Sequence, residues 1–267
     1  MDGMLLKGVG RAFGGALLFA LPLLMTMEVW RLGVSIPRWR LVLLIVATMA
    51  LAVVLSRYFG FTHKQQVGVG EATVDAAVAV LVGLLAAVVV LAVLSVVRPV
   101  HDLQNAVSVV AIEGLPATIG ASFARSQLGE DSSGVGQARQ GRLHEIVIVV
   151  SGAVVFSASI APTEEVVLLA AKMTEVNALL LVALSLTVMH GFVYGVGFRG
   201  GSRSPGGFWA VFVAHTVVGY VIALAVSGYL LWTFGRFDGL ALQPILAQTL
   251  VLGLPASIGA AAARLLL

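Results

Sequence analysis

The sequence predicts an all-α membrane protein built as two tandem four-segment repeats. Three observations carry this. The 267 residues are 59% hydrophobic and only 11% charged, where a soluble chain carries about 25% charged residues. Apolar runs long enough to cross about 30 Å of hydrocarbon as helices follow one another, and none of the alternating segments of a membrane β-barrel occur. Finally, Gly114-Leu115-Pro116-Ala117-Thr118-Ile119-Gly120-Ala121-Ser122-Phe123-Ala124-Arg125 recurs as Gly253-Leu254-Pro255-Ala256-Ser257-Ile258-Gly259-Ala260-Ala261-Ala262-Ala263-Arg264, identical at nine of twelve positions.

The first segment, 13–32, ends at Trp30 and Arg31, which read as an interfacial anchor. Lys7 and Arg11 ahead of it give the outline of a signal peptide. The run nevertheless matches an internal segment, so it is expected to be a retained span. The second segment, 41–61, closes on Arg57, Tyr58 and Phe59, and a short polar loop covers 63–70. The third, 74–97, is the most uniformly apolar. The fourth, 105–123, carries Glu113 and the Gly114-Leu115-Pro116 break. A stretch rich in Gly, Ser and Gln follows and reads as a flexible linker. The expected organisation is a first repeat at 1–128, a linker at 129–142 and a second repeat at 143–267. Segments 146–171, 178–198, 208–234 and 242–267 make up the second repeat, with His190 and His215 inside the middle two.

The halves align at an offset of about 136 to 139 residues. Gly15-Ala16-Leu17-Leu18-Phe19 falls on Gly152-Ala153-Val154-Val155-Phe156. Thr26-Met27-Glu28-Val29 falls on Thr163-Glu164-Glu165-Val166, and Val82-Gly83 on Val218-Gly219. If every segment crosses, there are eight transmembrane helices and the repeats run parallel; if 105–123 is re-entrant, there are seven and the second repeat is inverted. Basic residues divide ten against six between the two sides in either case, so the positive-inside rule leaves the choice open. Eight is expected, because the fourth segments are the best-matched pair. Glu113 at mid-span, at about 3 kcal/mol, is the argument for seven.

The polar groups inside these runs are the candidate site. Pro116 and Pro255 each remove a backbone bond and free a carbonyl, so kinks are expected at Gly114-Leu115-Pro116 and Gly253-Leu254-Pro255. The Gly120/Ala124 and Gly259/Ala263 spacings suit close helix contact. Acids in a membrane interior usually pair or face a cavity. Glu28, Glu164, Glu165 and Glu113, the hydroxyls of Thr26, Thr163, Thr118 and Ser257, and the freed carbonyls are therefore expected to form an oxygen-rich ion site between the repeats. Arg125 and Arg264 are its charge partners. Oxygen ligands of this kind suit H⁺, Na⁺, K⁺ or Ca²⁺, and the metal identity stays open. His190 and His215 have no counterpart in the first half and are candidates for proton or pH sensing.

The composition removes other functions. With no cysteine, disulfides, thiolate metal sites and cysteine nucleophiles are absent. The 16 Lys and Arg are scattered, unlike a clustered nucleic-acid face. No metal-binding His pair, nucleophile elbow or phosphate loop occurs, so neither an enzyme nor a bound cofactor is expected.

Ser157-Ala158-Ser159-Ile160-Ala161-Pro162-Thr163-Glu164-Glu165 resembles the Pro-Glu elements of cation/calcium exchangers, without their flanking pattern. With its Ala-Pro-Thr-Glu-Glu and Gly-Leu-Pro-Ala segments, the chain as a whole resembles a family of bacterial integral membrane proteins. That family is described as spanning about seven times and encoded beside a small single-span protein. The resemblance implies a multi-pass protein of the bacterial cytoplasmic (inner) membrane, embedded in a lipid bilayer, with that small protein as a candidate partner and a homo-oligomer as a further candidate. The expected function is a small-cation channel or secondary transporter. The alternative is a non-transporting scaffold or sensor that binds a partner subunit or lipid.

Overall fold

The computed structural model describes residues 2–59, 69–96, 103–127, 142–195, 209 and 212–266. Those residues are helical, with short turns and no strand. Most of the expected linker falls outside them, as does most of the polar loop at 63–70. Two compact units divide the chain, Met1–Ala138 and Arg139–Leu267.

Unit 1 contains α1 (Asp2–Leu24), α2 (Met27–Ser35), α3 (Arg38–Phe59), α4 (Val69–Val93) and α5 (Leu103–Gln127). The first segment is not the single straight run its hydropathy suggests. The chain bends by 83° between α1 and α2. Pro22 lies in the last turn of α1, and the carbonyls left there are taken up locally. The Thr26 hydroxyl donates to the Pro22 carbonyl at 2.7 Å, and the Trp30 indole N–H donates to the Leu24 carbonyl at 3.0 Å. A break inside an apolar run needs such partners, because hydrocarbon offers none.

Unit 2 contains α6 (Arg142–Ala158), α7 (Glu164–Lys172), α8 (Glu175–Gly195), a π-helical turn (Phe212–Val217), α9 (Val218–Thr233) and α10 (Leu242–Leu266). Its first segment is likewise in two pieces. The Thr163 hydroxyl, just after Pro162, donates to the Ile160 carbonyl at 2.9 Å.

The last helix is the hub of each unit: α5 packs on α1, α2, α3 and α4, and α10 on α6, α7, α8 and α9. Small residues make this possible. A Cβ on Gly15 would overlap the Gly120 carbonyl and the Ala124 methyl, so the α1 and α5 backbones touch there. In unit 2, Gly152 meets Gly259 and Ala263 in the same way. At the α4 crossing, a Cβ on Gly83 would come within 2.9 Å of the Thr118 backbone nitrogen. Both hubs run through their prolines as one α-helix, with Pro116 and Pro255 inside.

Six helices of the described residues are long and apolar enough to cross a membrane, or seven if α1 and α2 form one bent span. Leu143–Ala158 is apolar but shorter. The eight expected segments therefore comprise six full-length helices, one bent pair and one short helix with a separate α7. A hydropathy window averages over the breaks, because the apolar residues around Pro22 and Pro162 outweigh the few polar ones beside them.

Candidate functional site

Within unit 1 the standing feature is Glu113. It is 0% exposed, and neither carboxyl oxygen has a hydrogen-bond partner among the described residues. Helical spacing places it one heptad before Gly120, on the stripe of α5 that meets α1. Val109 of α5 meets Gly33 of α2, whereas Gly120 meets Gly15 and Phe19 of α1. Glu113 lies between these two levels, so the chain opposite it is the α1–α2 break. An ionised carboxylate without a partner in such a place costs several kcal/mol, so the group calls for a proton or a cation.

The matched Thr-x-Glu elements are helix starts. Thr26 precedes α2 and Thr163 precedes α7, both with extended backbone. Glu28, Glu164 and Glu165 lie in the first turns, where a negative charge complements the helix dipole. Glu28 is half-buried, whereas Glu164 and Glu165 are exposed. Arg236 holds Glu164 at 2.9 Å and also donates to the Pro162 carbonyl.

Gly114, Thr118, Gly253 and Ser257 face inward within their own units. Gly114 packs on Leu84 and Gly253 on Leu224, Thr118 is buried, and the buried Ser257 hydroxyl donates to the Leu254 carbonyl at 2.8 Å. The Arg125 side chain lies outside the described residues.

Unit 2 gathers a second polar group. Glu145 lies in the first turn of α6 and Arg264 in the last turn of α10, the helix ends at which their charges are favoured. Arg264 reaches Glu145 at 2.9 Å with its side chain 4% exposed, and His215 Nδ1 meets the same carboxylate at 2.6 Å. His215 comes from the π-helical turn, a distortion often found at functional sites. On the same turn, the Thr216 hydroxyl contacts His190 Nδ1 at 2.8 Å. Arg264 and His215 are thus joined through Glu145, which sequence reasoning misses because both partners are remote along the chain.

No three His, Asp or Glu among the described residues are grouped to hold a metal ion. No curated protein and no solved structure matches the chain. Residues 8–267 match the model of the family described as "Putative integral membrane protein (DUF2391)", and the chain belongs to that family of integral membrane proteins, its apolar helices in contact with a lipid bilayer.

Proposed function

We propose that this protein moves a small cation, foremost the proton, across a membrane, with Glu113 as the group that binds it. The reading is carried by one observation: a fully buried carboxyl with no hydrogen-bond partner among the described residues, at the level of the α1–α2 break. A lone carboxyl suits a proton, whereas Ca²⁺ takes six to eight oxygens. The reading includes an internal duplication with eight crossing segments. The short second helix in each unit, followed by three further helices, supports it, as does the glycine contact of first and last helix in each unit. On that alignment the residue matching Glu113 is Leu252, which is also 0% exposed. The acid is therefore a feature of the first copy alone.

The test is flux in proteoliposomes under an imposed potassium-diffusion potential, with internal pH read by a trapped dye. Proton entry is expected, lowered at least tenfold in Glu113→Gln and unchanged in Glu165→Gln. No flux of H⁺, Na⁺, K⁺ or Ca²⁺ by the native protein overturns the reading. A second reading, a non-transporting lipid-binding protein, is favoured by an apolar groove in unit 1, and lipid retention without flux would select it.

A further inference from the structure

We infer, resting on the reading of Glu113 as the proton-binding group, that α2 is the gate through which water reaches it. This nine-residue helix swings off α5, and Trp30 and Gly33 set how readily it moves. A carboxyl that is 0% exposed exchanges protons with water only if something beside it shifts. α1, α2, α3 and α4 all pack on α5, but they are not held equally. α1 and α4 form the buried core of the unit together with α5. Each also meets the α5 backbone through a glycine, Gly15 and Gly83 respectively. α2 adds no buried residue to that core, and only its Val29 and Gly33 are buried at all. It is the piece whose displacement gives up least packing.

The ends of α2 suit a movement of the whole helix. It lies between two short breaks, 25–26 and 36–37, with Thr26 and Ile36 in extended backbone. Pro37 drives the residue before it out of the helical region. At the first break the chain turns by 83°, and the Trp30 indole N–H reaches back from α2 to the Leu24 carbonyl at 3.0 Å, pinning the angle. Further along, α2 is seated on α5 at Gly33, where a Cβ would overlap the Val109 methyl and the Asn105 side chain. Val109 lies one turn before Glu113 on the same face of α5, so lifting Gly33 off Val109 uncovers the turn that carries the acid. Asn105, half-buried at this contact, offers entering water a polar partner. The other side of α5 is closed to water by its chemistry. A groove of about 430 Å³ between α3, α4 and α5 ends at Gly114 and Thr118, but Ile45, Val80, Leu84 and Val88 line it. The Thr48 hydroxyl there is turned to the Leu44 carbonyl at 2.8 Å, and a cavity with apolar walls stays dry.

The experiment uses the full chain in proteoliposomes with Glu113→Cys, since the chain has no cysteine of its own. Reaction with a small water-soluble methanethiosulfonate is followed by intact mass. Trp30→Phe, which removes the pin, and Gly33→Leu, which wedges α2 off Val109, should each raise the rate at least fivefold. Leu91→Cys, at a 0% exposed position on α4, should respond to neither. A rate at position 113 that neither substitution changes overturns the inference. So does an equal rise at Leu91→Cys, which marks general loosening, or a larger rise from Leu84→Ala, which opens the groove side. Native Glu113 is tested in parallel with a water-soluble carbodiimide and an amine, read by the mass of the peptide that carries it. The same substitutions should raise that modification, so the outcome does not hang on the folding of the Glu113→Cys chain. Labelling needs no transport: flux with unchanged labelling sinks the gate alone, and gated labelling without flux sinks the transport reading alone.

Discussion

Replacing Glu113 by leucine, the residue at the matching place in unit 2, should make the protein more stable and less active at once. The carboxyl is 0% exposed and both its oxygens lack partners among the described residues. An unsatisfied buried polar group costs about 1–3 kcal/mol. Apolar burial adds little here, because lipid tails are as apolar as leucine. Leu252 shows that the hub helix accommodates this side chain at 0% exposure. The expected gain is thus about 1–3 kcal/mol, or a rise in Tm of about 3–10 °C for a unit of this size. Scanning fluorimetry in one detergent, with native and Glu113→Leu protein side by side, measures it, and the flux assay on the same preparations measures the loss. Such opposed changes mark a strained functional group. A lower Tm for the leucine variant would refute the reasoning, because it would mean that Glu113 is held by a partner and serves the fold.

Glu145→Ala should destabilise unit 2 by about 3 kcal/mol, since it leaves the buried Arg264 charge uncompensated; Glu145→Ala/Arg264→Leu should recover most of that in the same melt. Gly15→Leu should abolish assembly of α1 on α5, whereas Gly14→Ala, which meets no atom within 4 Å, should be neutral or stabilising by up to about 1 kcal/mol; yield of folded protein by gel filtration separates the two. Arg236→Ala should change stability by less than about 1 kcal/mol through the loss of Glu164, because that acid is exposed. Trp30→Phe removes the donor to the Leu24 carbonyl and should speed hydrogen exchange at residues 24–30 without changing that of α4.

Much of the scaffold was legible in the sequence, because period and composition fix apolar helices directly. The Gly-Leu-Pro segments stood out by repetition, and they proved to be the two hub helices, where Gly120 and Gly259 admit a neighbouring backbone. The breaks after Leu24 and Ala158 were not legible. Both lie in segments that are apolar on average, and the turn shows only in three dimensions, with the Thr26 and Trp30 hydrogen bonds at the first break and that of Thr163 at the second. The Thr-x-Glu match was visible, but the reason for it was local: a threonine and an acid at a helix start are favoured by the end of the helix itself. Glu113 stands out in the sequence as an expense at mid-span, and its position opposite the break is visible only in three dimensions. Glu145 was passed over because its partners are 70 and 119 residues away along the chain, a distance no spacing rule covers.

The hub of each unit is also the last helix of that unit to be synthesised. Domains generally form in the order of synthesis, at about 5–20 residues per second. In unit 2, α8 finds its main neighbour only when α10 arrives. A nascent chain that has reached residue 241 therefore holds the helices of unit 2 with little to fasten α8 to the others, and the 25 residues of α10 act as the bolt that follows. A stop codon just before that helix would leave inserted but unassembled protein, a ready target for membrane proteases.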